Sequence, residues 1–258
     1  MSNFPVQHTL GFGEEKALST RKSAILGQQA FTPDGRTFRY ALNGATALAA
    51  GVVVQNAVQP VSSAYADALT VALANGVGAT VATGVTTLTL TTVANSTVAE
   101  NFYQDGYIYV KVGPGAGAFV IKQHAAASSV AGMSIELYAG DKIDRVAHTT
   151  ATRYALQANL YSNVIVTPAA ATGVPLGVAH TSVPAGNFFW LQTGGPAPTQ
   201  TSGGVVIPSD RYVLSTAAAG SIIGATTADP DQLRATIGYG IHINATSALI
   251  DVINLTLD

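Results

Sequence analysis

Cysteine is missing from all 258 residues, so neither a disulfide framework nor a thiolate metal site is open to this chain. Its absence does not identify a compartment, since reducing and oxidising surroundings both tolerate it. Charge is almost as scarce. Asp, Glu, Lys and Arg make up 10% of the residues, against about a quarter in an ordinary soluble protein. Alanine, threonine, valine and glycine fill the space. Solubility normally rests on surface charge, so much of this surface is expected to be covered in an assembly. The net charge of −2 gives no electrostatic drive toward nucleic acid or a membrane surface. Long apolar runs are missing too, and segments such as 47–54 are far too short to span a bilayer. The first residues show no basic stretch leading into an apolar one, so no secretory signal is expected and the chain reads as soluble and made in the cytoplasm.

What is present is a succession of short strand patterns. Val85-Thr-Thr-Leu-Thr-Leu-Thr-Thr-Val93 alternates threonine with apolar residues and is rich in β-branched side chains. Tyr107–Val112 and Ala118–Gln123 flank the glycine-rich Gly113–Gly117 and read as a hairpin. Further strand patterns lie at Arg36–Tyr40, Val52–Gln55, Leu69–Leu73, Met133–Tyr138, Asn163–Thr167, Val174–Val183, Val205–Ile207, Arg211–Ser215, Ser221–Gly224, Ala235–Asn244 and Ala248–Leu257. With no long helical pattern and no strict repeat, these predict an all-β fold: an antiparallel β-sandwich or barrel built from many short strands.

Residues 1–30 stand apart, with Glu14, Glu15, Lys16, Arg21 and Lys22 clustered in one stretch. No clean apolar stripe runs through Glu14–Leu26, and an extended or partly helical N-terminal arm is expected there. The remainder divides into a β domain over 31–160, within which 61–160 is readable as an inserted sandwich, and a C-terminal β domain over 161–258 that would pack with 31–60. Asn187-Phe-Phe-Trp-Leu-Gln192 holds the single tryptophan. As a strand it points Phe189 and Leu191 one way, Phe188 and Trp190 the other. Both faces are apolar, so it needs two covers, one of which could be a neighbouring subunit. The Gly194-Gly195-Pro196 that follows is a turn signal expected to end it.

No motif carries chemistry. Gly113-Pro-Gly-Ala-Gly117 lacks the Lys-Ser/Thr of a phosphate-binding loop. The five histidines, His8, His124, His148, His180 and His242, form no ligand spacing, and Asp141, Asp144 and His148 read as a solvated loop rather than a metal or acid–base cluster. There is no nucleophile elbow. No catalytic residue, cofactor or metal is expected.

Three segments together resemble tailed-bacteriophage virion structural proteins, the capsid decoration (cement) and related head proteins. They are Thr32-Pro-Asp-Gly-Arg-Thr-Phe-Arg-Tyr-Ala-Leu-Asn-Gly-Ala-Thr-Ala-Leu-Ala-Ala-Gly51, Asn159-Leu-Tyr-Ser-Asn-Val-Ile-Val-Thr-Pro168 and Asn187-Phe-Phe-Trp-Leu-Gln-Thr-Gly-Gly-Pro-Ala197. The resemblance covers about half the chain in pieces and rests on pattern and composition. It implies a β-rich, non-enzymatic virion protein, often a homotrimer, that binds the outer capsid surface through the major capsid protein and stabilises the lattice. On that reading the contact candidates are Arg21 and Lys22 in the arm, Arg36, Phe38 and Arg39 in the first strand, and Trp190. Two other readings stay open: a tail, baseplate or fibre-associated protein, and a carbohydrate-binding or depolymerase module with Tyr103, Tyr107, Tyr109 and Trp190 as its aromatics.

Overall fold

A computed structural model of the chain describes residues 8–57, 72–73, 81–91, 98–115, 117–127, 133–143, 146–149, 152–203, 207–225, 235–241 and 250–258. Its strands, in order, are β1 (His8–Thr9), β2 (Gln29–Phe31), β3 (Thr37–Leu42), β4 (Val53–Gln55), β5 (Ala72–Leu73), β6 (Thr87–Thr91), β7 (Tyr107–Val112), β8 (Ala118–His124) and β9 (Met133–Leu137). They continue with β10 (Arg153–Gln157), β11 (Ile165–Val166), β12 (Pro175–Val178), β13 (Phe188–Gln200), β14 (Arg211–Leu214), β15 (Ile222–Gly224), β16 (Thr236–Gly240) and β17 (Ile250–Thr256). The only helical element among the described residues is a single 3-10 turn at Glu14–Lys16. The fold is all-β, in two sheets that are sandwich-like rather than closed barrels.

Two compact units divide the chain: Met1–Val58 joined with Leu160–Asp258, and the contiguous Gln59–Asn159. The β domain expected over 31–160 is therefore split. The cause is hydrogen bonding, because β2, β3 and β4 pair with β1, β11, β12, β13 and one another.

In the first unit the sheet runs β1-β2-β3-β13-β17-β16-β14-β15, with β4 bridging β11 and β12 beside it. The β1–β2 pair is parallel and the other strand pairs are antiparallel. One core joins Val53 and Val178 to Ala197, Tyr212, Ile222, Ile237, Ile253 and Leu255. Another gathers Ala41, Leu48, Val54, Val164, Leu176, Phe189 and Leu191.

β13 is the axis of this unit, and it does not stop at Gly194-Gly195-Pro196. Phe188–Gly194 pairs with β3, and Gly194–Gln200 pairs with β17. The expected turn is a change of neighbour inside one 13-residue strand. A register shift between Gln192 and Gly194 opens it, and Gly195 takes φ 80°, open to glycine without steric cost. The Gln192 side chain then bonds the displaced backbone, its Nε2 donating to Gly194 O at 3.2 Å and to Pro196 O at 2.8 Å. The prolines are tolerated for a directional reason. Gln200 donates its N–H to Gly51 O, away from β17. Two and four residues earlier in the regular ladder, Pro198 and Pro196 turn their nitrogens the same way, so β17 loses no donor.

The second unit is a six-stranded antiparallel sheet in the order β10-β7-β8-β9-β6-β5. The hairpin expected across Gly113–Gly117 is present, with Ile108 opposite Phe119. The core of this unit packs Leu88, Leu90, Tyr103, Ile108, Ile121, Met133, Ile135, Leu137, Tyr154 and Leu156. Part of the strand expected at Leu69–Leu73, most of that at Val205–Ile207, and Asp144 and His242 lie outside the described residues.

Candidate interaction surface

The N-terminal segment, expected as an extended or partly helical arm, lies on its own sheet from His8 onward. Leu10 N–H bonds Phe31 O, Ser19 and Phe188 exchange backbone hydrogen bonds, and Gly27 N–H bonds Tyr40 O. Leu10 and Leu26 are buried with Ala30, Phe38, Tyr40 and Trp190. Tyr40 stacks on Phe188 and meets Trp190 edge-on, and its hydroxyl accepts from Ser23 N–H and Oγ. The second cover of the aromatic strand is thus supplied from within the chain.

The six contact candidates separate accordingly. Phe38 is fully buried and Trp190 is 8% exposed, so both are packing residues in this fold. Arg39 forms a forked ion pair with Asp258: Nε donates to both carboxylate oxygens at 3.0 Å and Nη2 to Oδ1 at 2.8 Å. Its Nη1 donates to Gly27 O, and the guanidinium lies over the Tyr161 ring. Arg36 bonds Asp34 at 2.8 Å, reaches Glu15 at 3.5 Å and caps the Phe38 ring. Both arginines are committed within the molecule. Lys22 is half-buried and Arg21 is exposed. The same segment carries three exposed apolar side chains, Phe12, Leu18 and Ile25, with Phe12 70% exposed.

Beneath that segment is a polar cluster that local spacing could not show. Glu15 is buried; it accepts from Gly13 N–H and faces Arg36. Burial pushes its carboxyl up, but backbone N–H donors and the Arg36 charge together carry it below its usual range. His180 meets Phe38 edge-on, and its Nδ1 is buried without a hydrogen-bond partner. Burial first and Arg36 second hold its pKa below the ordinary histidine value, with Glu15 and Gln192 opposing them.

In the second unit a cavity of about 300 Å³ is lined by Gly115, Gly117, Phe119, Asp141, Lys142 and His148, among others. Asp141, in the loop expected to be solvated, is tied to the sheet: its Oδ2 accepts the Val120 N–H. His148 bonds the Tyr154 hydroxyl through Nδ1 at 2.6 Å, while Nε2 is fully buried and unpartnered. A side chain on Gly115 would strike that imidazole edge. The aromatics of the carbohydrate reading are dispersed. Tyr103 is 1% exposed and belongs to the core, whereas Tyr107 is 48% exposed. Among the described residues no three His, Asp or Glu side chains gather as metal ligands. No helix among them is long and apolar enough to cross a membrane.

No known protein family, curated protein or solved structure matches the chain.

Proposed function

We propose that this chain is a structural protein of a tailed-bacteriophage virion, of the capsid decoration or cement type. It binds the outer surface of the capsid lattice, with the major capsid protein and further copies of itself as partners, and does so without catalysis. The observation that carries this reading is the outer side of the N-terminal segment. It is pinned to the sheet by backbone bonds, yet it leaves Phe12, Leu18 and Ile25 exposed, with an exposed Arg21 in the same stretch of chain. Large apolar side chains left exposed on an ordered segment are suited to burial against another protein. The all-β fold and the low charge support it further.

The test is negative-stain imaging of purified protein mixed with empty, expanded capsids of the virus that encodes it. Regular surface protrusions are expected, together with a higher melting temperature for the decorated capsids. Phe12→Ser combined with Ile25→Ser should weaken binding at least tenfold, the loss of about 1.4 kcal/mol, without changing the circular dichroism spectrum. Absence of protrusions on capsids refutes the reading.

A further inference from the structure

The 3-10 turn at Glu14–Lys16 seats charge where the N-terminal segment meets its sheet. The Glu15 carboxylate is 4% exposed, accepts the Gly13 N–H at 2.6 Å and lies 3.5 Å from Arg36, whose guanidinium caps the Phe38 ring. His180, two residues beyond β12, meets the same ring edge-on. Its Nδ1 is buried with no hydrogen-bond partner. The segment itself is held by short runs of backbone bonds: the two-residue β1–β2 pair, Leu10 N–H to Phe31 O, the Ser19–Phe188 exchange and Gly27 N–H to Tyr40 O. Through Leu10 and Leu26 it covers Phe38, Tyr40 and Trp190.

A neutral imidazole fits this place and a cation does not. The neutral ring carries its one proton on Nε2 and leaves Nδ1 bare, whereas the imidazolium has an N–H at both positions. The one at Nδ1 would be buried with no acceptor, within the field of Arg36. The charges that face His180 are Arg36 from the turn before β3, and Glu15 and Lys16 from the 3-10 turn. β12 and β13 carry no charged residue, β3 offers it Phe38, and Arg39 of β3 is turned to Asp258. The one anion of the group is already shared with Arg36 and the Gly13 N–H, so a protonated ring is left uncompensated.

We propose that Glu15, Arg36 and His180 form an acid-sensitive latch, in which protonation of His180 lifts the N-terminal segment and uncovers the Phe38, Tyr40 and Trp190 cluster. With the segment lifted, the imidazole is in water and takes up its proton near the ordinary value of about 6.5. On the closed sheet, burial and Arg36 keep that proton off to lower pH. Falling pH therefore favours the open state from about 6.5 downward, by at most about tenfold per pH unit, until the closed-state value is reached. Glu15 acts lower down. Its carboxyl is held below the usual value, so its contact with Arg36 survives at about pH 5 and is lost only in stronger acid. The segment opens before the sheet because its bonds are few and local, while β13 is laddered along its length to β3 and β17. The latch does not depend on what the segment binds.

The test is amide hydrogen exchange of the full-length protein at about pH 7.5 and about pH 5, with rates corrected for their intrinsic pH dependence. Protection of the Leu10 and Ser19 amides should fall at least about tenfold. Val53, whose N–H bonds Gly220 O in the core of the same unit, should keep its protection. The fall should persist in His8→Ala, which removes the segment's own histidine. His180→Gln, neutral at both values, should hold the Leu10 and Ser19 amides at nearly equal protection. A nuclear magnetic resonance titration of the wild-type His180 imidazole needs no variant, and its midpoint should coincide with that of the loss of protection. Unchanged protection at the lower pH, an equal fall in His180→Gln, or Val53 exchanging in step with Leu10 overturns the proposal. So does an imidazole midpoint that departs from that of opening.

Discussion

The imidazole of His8 stacks on the indole of Trp190, with ring centroids 5.3 Å apart and 19° between the planes. The first described residue of the chain thus covers the only tryptophan, which otherwise packs on Tyr40. Tryptophan emission therefore reports on how the N-terminal segment sits on its sheet.

Trp190→Ala should cost about 3–5 kcal/mol, the range for removing a buried large aromatic. Urea unfolding followed by circular dichroism measures it, with the slope unchanged if the unfolded state is unaffected. His8→Ala should cost far less, about 0.5–1 kcal/mol for one stacked pair. It should also red-shift and strengthen the emission, as the indole gains water and loses a quencher. A loss below about 1 kcal/mol for Trp190→Ala would show that the segment and the strand do not share a core.

Arg39 and Asp258 are 219 positions apart in the chain and form a forked ion pair. Burial by itself pushes the Asp258 carboxyl up, but the Arg39 hydrogen bonds, the Thr193 hydroxyl and the guanidinium charge outweigh it, so its pKa lies below the usual value. A depressed carboxylate adds stability that is fully present above the unfolded-state pKa and is lost as pH falls through the folded-state value. Melting temperature should therefore decline below about pH 4 and decline less steeply in Asp258→Asn. Arg39→Lys should recover only part of the loss seen in Arg39→Ala, since an ammonium cannot reproduce the fork.

The buried histidines give the opposite group type and a higher pH window. His124 uses both nitrogens as a neutral ring: Nδ1–H donates to Ala125 O at 2.8 Å and Nε2 accepts the Tyr103 N–H at 2.9 Å. Burial holds its pKa below the ordinary histidine value, and burial does the same to His148. The unfolded chain takes up these protons first as pH drops below about 6.5, so stability falls with acidification from there until the folded-state values are reached. Each such histidine contributes a slope of at most about 1.4 kcal/mol per pH unit. Chemical unfolding of the second unit at pH 7 and pH 5 should show the loss. His124→Gln should remove one proton's worth of the slope while lowering stability at both values.

How much of this was legible in the sequence depends on the range of the signal. The alternation around Leu88 and Leu90, the Gly113–Gly117 hairpin and the two-faced aromatic strand are local patterns, and each is present. The Gly194-Gly195-Pro196 signal misled because glycine and proline serve equally well in a bulge that hands a strand from one neighbour to another. Arg36 and Arg39 stand as contact candidates in the sequence because two of their partners, Glu15 and Asp258, lie far from them along the chain. Trp190 looked like a subunit contact because its cover, residues 8–31, has no periodicity of its own.

That handover depends on one amide. Gln192 is fully buried between Leu191 and Thr193, and its Nε2 holds Gly194 O and Pro196 O where the ladder is interrupted. Gln192→Leu keeps the volume and apolar packing but leaves the buried Gly194 carbonyl without this donor, at about 1–3 kcal/mol, and removes a part-buried bond to Pro196 O. The unmatched Oε1 of the wild-type side chain disappears with the amide, which offsets part of that cost. A net destabilisation of about 1–3 kcal/mol is expected in urea. Hydrogen exchange should speed up at Leu257, whose N–H bonds Thr193 O beside the bulge, and remain slow in the β7–β8 hairpin of the other unit. Equal acceleration in both places would mean that the amide stabilises the whole chain rather than the crossing point of β13.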